Sequence, residues 1–151
     1  MKIQEQYVGY DTAIMLKKLG FNELCGAYYS EFVDDWKTLL FWKCGKPKTY
    51  DEVRNSGYLL VPTQSIVMRW FREEYDLEIR ATYDYEKSSW WGQTVPMYDE
   101  DDENSDLFQK LLKFDYQGKT YEEAIEKGIQ YAIEKLYDYG YTRKEDNGDN
   151  C

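Results

Sequence analysis

Histidine is missing from this 151-residue chain. Its absence excludes Ser-His and Cys-His nucleophilic catalysis, histidine-ligated zinc and the usual general base that titrates near neutrality. Cysteine is scarce: Cys25, Cys44 and Cys151 are an odd, widely spaced set, which builds neither a disulfide framework nor a metal-ligand pair. No P-loop, dinucleotide fingerprint or Gly-rich phosphate cradle occurs, so nucleotide chemistry has no foothold. The chain also lacks any run of about eighteen apolar residues, which predicts no membrane span. Its opening, MKIQEQYVGYD, has no apolar core of the secretory kind. Together these gaps predict a cytoplasmic protein with no catalytic residues, no metal and no cofactor.

Aromatic residues are plentiful. They make up 18% of the chain and include sixteen Tyr and five Trp, enough large rings for a core and for half-buried surfaces. The length is that of one ordinary domain, expected over residues 1–141, with the polar run 142–151 as a flexible tail. The formal net charge is −10. Asp99, Glu100, Asp101, Asp102, Glu103 and Asp106 concentrate more than half of it in one loop. An excess of acid disfavours non-specific binding to polyanions.

Along the chain, Asp11 or Thr12 is the expected cap of a short first helix. Ile14, Met15, Leu16 and Leu19 form its apolar side, Gly20 its left-handed end, and Phe21 folds back on Leu16. Residues 25–43, read from CGAYYSEFV (25–33) and TLLFWKC (38–44), predict two strands, with Asp34 and Asp35 between them. Thr49 and Glu52 fit a capping box for one helical turn at 50–55. The stretch PTQSIVMRWFREEYDLEI, from residue 62, predicts a helix capped by Thr63 or Ser65 and ended by Asp76. Ile66, Val67, Trp70, Phe71 and Tyr75 share one face of it. Leu77, Ile79, Ala81, Tyr83 and Tyr85 then alternate with Glu78, Arg80, Thr82, Asp84 and Glu86, a strand with one apolar and one charged face. EKSS is a turn. WWGQTVPMY returns as an antiparallel strand that is either an edge or ends near Val95, because Pro96 cannot donate to a ladder. LFQKLLKFDY, residues 107–116, fits a short helix or a strand. Thr120 and Glu123 form a capping box for a last helix. Its stripe runs Tyr121, Ala124, Ile125, Gly128, Ile129, Ala132, Ile133, Leu136 and Tyr137. Gly128 is read as a site of close helix–sheet approach, the alternative being a tolerated defect.

PTQSIVMRWFREEYDLEI, TYEEAIEKGIQYAIEKL and the early Leu19-Gly20-Phe21 together resemble a family of small uncharacterised proteins from gut-bacterial (Bacteroides-type) genomes and their phages or mobile elements. The resemblance spans most of residues 7–137 and rests on structural motifs. It implies an accessory protein of phage or mobile-element type and transfers no catalytic residue. The acidic loop and the tail lie outside it.

Four chemical readings follow from the residues. Counted from Asp99, a calcium loop would need Gly at the position of Asn104 and Glu at that of Lys110, so an EF-hand is excluded and a solvated loop is expected. Paired carboxylates cannot be singled out among 29 acids. Lys37, Lys43, Lys46 and Lys48 are interleaved with Trp36, Phe41, Trp42 and Tyr50, which would suit a single-strand stacking platform. The preferred reading is a hairpin with aromatics in the core. Finally, Trp90 and Trp91 are adjacent in a strand and must point to opposite faces. One of them is expected to share the charged face with Arg80 and Glu78, an interface composition, unless the 99–114 segment covers it.

The fold expected is α+β: an antiparallel sheet of about four to five strands covered on one face by two main helices. The function expected is a non-catalytic intracellular binding module, with Arg80, Glu78, Trp90 and Trp91 as candidate contacts. The partner expected is a protein, a second copy of the chain included, and neither a membrane nor a nucleic acid. An acidic DNA mimic or anti-defence inhibitor is the second reading, and a small histidine-free enzyme the third.

Overall fold

The fold is given by a computed structural model that describes residues 6–33, 35, 37–54, 56–97 and 115–138. The chain divides into two compact units, residues 1–67 and 68–151. Among the described residues it forms three α-helices and six strands, an α+β fold. The strands make two three-stranded antiparallel sheets, one ordered 40–41, 27–30, 58–61 and the other 77–84, 89–96, 115–118. This corrects the expected single sheet of four to five strands. Each sheet is built from strands close in sequence, one within residues 27–61 and the other within residues 77–118, and strands close in sequence pair most readily. The acidic loop 99–106, residues 107–114, Asp34, Trp36 and the 142–151 tail lie outside the described residues.

In the first unit, helix α1 (Tyr10–Leu19) starts one turn earlier than its polar residues suggest. Gly9 is the N-cap without a side-chain bond, and its carbonyl accepts the Ala13 N–H at 2.9 Å. Asp11 and Thr12 lie inside the first turn, and the buried side is Thr12, Ala13 and Leu16. Gly20 takes φ 96°, and the Phe21 N–H donates to the Leu16 carbonyl at 3.0 Å, the left-handed ending expected. α1 packs on β3. Strand β1 (Ala27–Ser30) lies between β2 (Leu40–Phe41) and β3 (Tyr58–Val61), with Ala27 opposite Phe41 on one side and Val61 on the other. The helical turn expected at 50–55 is instead a run of turns. Glu52 Oε1 accepts the Thr49 N–H at 3.1 Å, one half of the capping box.

Helix α2 (Gln64–Tyr75) carries the chain into the second unit. Thr63 caps it: its Oγ1 accepts the Ile66 N–H at 3.4 Å. Val67, Trp70, Phe71 and Tyr75 are buried. Trp70 meets Phe71 and Tyr75, each with ring centroids 5.3 Å apart. Asp76 ends the helix at φ 54°. Strand β4 (Leu77–Asp84) pairs along its length with β5 (Ser89–Pro96), from Leu77–Pro96 to Asp84–Ser89. β5 also pairs with β6 (Asp115–Gly118), from Trp90–Gly118 to Gln93–Asp115. β5 is therefore the central strand, not an edge. Pro96 is tolerated because it ends the strand, beyond the reach of β6.

Helix α3 (Tyr121–Asp138) packs on all three strands of this sheet. Thr120 Oγ1 accepts the Glu123 N–H at 3.1 Å, and Glu123 Oε2 accepts the Lys119 N–H at 3.2 Å. Its buried stripe is the expected one with Tyr131 added, while Tyr121 and Tyr137 at its ends reach solvent. The close approach expected at Gly128 is present: a Cβ there would lie 2.9 Å from Ile79 Cγ2.

Candidate functional site

The register of the second sheet sorts the candidate residues by face. Leu77, Ile79, Ala81 and Tyr83 share the α3 side with Trp90, Gly92 and Thr94 of β5 and with Tyr116 and Gly118 of β6. Glu78, Arg80, Thr82 and Asp84 share the other side with Trp91, Gln93 and Val95. Trp91 thus joins Arg80 and Glu78, and Trp90 does not. The two tryptophans point to opposite faces as the strand pattern requires, so the four candidates do not form one surface.

On the α3 side the helix covers only part of the strand face. Its Ala124 sits over Gly92 and Gly118, and Gly128 sits over Ile79 and Tyr116. The helix begins beside Trp90 and runs away from the β4–β5 turn, so nothing in it lies above the end of the hairpin. A row of rings emerges there. Tyr121 meets Trp90 edge-on at 5.5 Å, Trp90 meets Tyr83 at 5.3 Å, and Tyr83 meets Tyr85 at 5.0 Å. Tyr83 is 40% exposed and Tyr85 86%. Tyr85 is not in the strand, as its alternation predicted, but in the turn that follows it. Asp84 Oδ1 builds that turn by accepting the Glu86 N–H at 2.9 Å. Ser88 closes it in the left-handed region at φ 49°.

On the opposite side, Trp91 is half-buried. Lys87 Nζ lies 4.6 Å from its ring centroid, a cation–π contact. Its Nε1 is buried and has no hydrogen-bond partner among the described residues. Arg80 Nε donates to Gln93 Oε1 at 3.3 Å. Glu78 faces Arg72 of α2 at 3.7 Å, away from the hairpin end.

This arrangement offers ring faces, ring edges and a few polar tips. Among the described residues no group of three or more His, Cys, Asp or Glu is placed to hold a metal ion. Cys25, in the first unit, is buried; burial, with a smaller contribution from Glu23, pushes its thiol up to about 12. Two rings of the lysine-rich stretch are occupied with packing. Trp42 stacks on Tyr28 at 4.0 Å and donates from Nε1 to the Cys25 carbonyl at 2.9 Å. The Tyr50 hydroxyl accepts the Leu60 N–H at 2.9 Å, and burial raises its pKa.

The periodicity of Tyr83, Tyr85 and Tyr121 puts them on apolar stripes, and the structure places them at the surface. The signal that points to them is local. Tyr83 and Tyr85 directly precede the turn formers of EKSS, and Tyr121 is the first residue of its helix, so each lies at the end of an element where cover runs out. Comparison of the chain with protein-family models, curated proteins and solved structures finds no match.

Proposed function

We propose that this chain is a non-catalytic protein-binding module whose contact surface is the hairpin end of its second sheet. The row Tyr85–Tyr83–Trp90–Tyr121 carries the reading. Large rings left in water at one spot, with polar tips and few rotatable bonds, are the typical anchors of a protein interface. Tyr85 and Tyr83 are the anchors and Trp90 backs them. Trp91 and Arg80 flank the same end from the other face, while Glu78 stays with Arg72 outside the contact. An intracellular accessory role of phage or mobile-element type is supported by the sequence resemblance. The test is affinity capture from a lysate of the native host with the wild-type chain and a Tyr83→Ser/Tyr85→Ser chain of equal thermal stability. A partner held by the first and lost from the second supports the reading. Equal retention by both overturns it.

A further inference from the structure

We infer that the outer edge of β4 pairs with the same edge of a second copy of this chain, antiparallel about a twofold axis through Thr82. Among the described residues the sheet order leaves β4 at an edge, and no backbone hydrogen bond reaches its outer side. The parity of the ladder follows from one bond: the Met97 N–H donates to the Asp76 carbonyl at 2.7 Å. With an unbroken register, Glu78, Arg80, Thr82 and Asp84 exchange bonds with β5. Leu77, Ile79, Ala81 and Tyr83 turn their N–H and C=O groups outward. Leu77 and Ile79 are fully buried, whereas Ala81 and Tyr83 reach solvent. The accessible edge is therefore Arg80-Ala-Thr-Tyr-Asp84.

Laid antiparallel on itself about Thr82, that segment is self-complementary. Arg80 faces the partner's Asp84, and Asp84 faces the partner's Arg80. The small Ala81 faces the partner's Tyr83, and Thr82 faces the partner's Thr82. Opposite charges, Thr–Thr and large-against-small neighbours all favour cross-strand pairing. The outward-facing groups of Ala81 and Tyr83 meet in the hydrogen-bonded positions. The Arg80–Asp84 pairs fall in the non-bonded positions, where side chains stand closer. Arg80 uses only Nε and Asp84 only Oδ1 in bonds among the described residues, so the remaining guanidinium nitrogens and carboxylate oxygen are available. The other registers fit worse. An axis through Arg80 or Asp84 opposes like charges. One through Ala81 needs the buried Ile79, and one through Tyr83 pulls the turn residue Tyr85 into the ladder. An exposed edge strand is a standing template for such pairing.

The contact is small and the two copies repel through a charge of −10 each. The dimer expected is weak, with a dissociation constant on the order of 100 μM. The inference goes beyond the binding-module reading, because it uses the backbone edge rather than the rings. Sedimentation velocity of the full chain across that concentration range tests it. The wild type shifts toward dimer. Arg80→Asp and Asp84→Arg each stay monomeric, and their equimolar mixture dimerises, because every facing pair is again of opposite charge. Ala81→Pro, which removes an outward N–H and leaves the β4–β5 bonds intact, is monomeric even if Asp84→Arg disturbs the turn. Tyr85→Ser, outside the edge, keeps the dimer while losing the captured partner, so the two readings fail separately. A wild type that stays monomeric throughout, or a dimer untouched by Ala81→Pro, overturns the inference.

Discussion

Gly118 lies so close to Ala124 that a Cβ on it would come within 2.6 Å of the Ala124 nitrogen. Gly92 stands in the same relation to the Ala124 carbonyl oxygen, at 2.7 Å. These two glycines let the first turn of α3 rest on β5 and β6. Gly118→Ala must push helix backbone, and Gly92→Ala both helix backbone and the buried Tyr116 ring, so each is expected to destabilise the chain by about 1–3 kcal/mol. Gly26→Ala meets only the end of the Tyr7 ring, at 3.2 Å, and is expected to cost less. Urea denaturation of the three variants checks the order.

Thr120 holds the start of α3 through the Glu123 N–H. Thr120→Ala leaves that donor without its cap and is expected to cost about 0.5–2 kcal/mol. The same loss is expected in the thermal midpoint, with the far-ultraviolet spectrum retained.

Trp70 and Tyr85 are expected to separate stability from recognition. Trp70 is fully buried among Phe71 and Tyr75, so Trp70→Ala should cost about 3–5 kcal/mol. Tyr85 is a surface ring, and Tyr85→Ala should stay within about 0.5 kcal/mol of the wild type while lowering partner capture. Denaturation and capture measured on the same two proteins check both halves.

The alkaline limb of stability is expected to depend on Cys25. Burial raises its thiol from an ordinary 9.0 to about 12, and burial raises Tyr50 in the same direction. Below pH 9 neither group makes stability depend on pH. Above it the unfolded thiol ionises while the folded one stays protonated, so stability falls as pH rises toward the folded value. Thermal midpoints measured across this range should drop, and Cys25→Ala should drop less steeply. Mass-spectrometric mapping of alkylation should find Cys25 unreactive until urea unfolds the chain.

Much of this fold was legible because its signals are local. The Trp70 helix and α3 declare themselves through three- and four-residue spacing, and the Gly20 ending and Thr120 cap through single residues. The division into two sheets was not legible, because alternation marks a strand's faces and says nothing about which strand lies beside it. Pro96 illustrates this: its missing N–H excludes a bonded position, which a central strand satisfies as well as an edge if it stops there. The candidate site was half legible. Adjacent tryptophans had to point apart, and Arg80 and Glu78 had to share a face. That α3 starts beside Trp90 and leaves Tyr83 and Tyr85 uncovered depends on where Gly92, Gly118 and Gly128 let the helix rest, a tertiary fact. The helix α1 cap shows the same limit, since Gly9 offers no side chain to recognise.

Amide hydrogen exchange of the chain, free and bound to its captured partner, reads the contact surface residue by residue. New protection is expected at the β4–β5 turn, residues 83–90, and at the start of α3 around Tyr121. Protection confined to residues 6–67, with the turn exchanging as fast as in the free chain, would contradict the proposed contact surface.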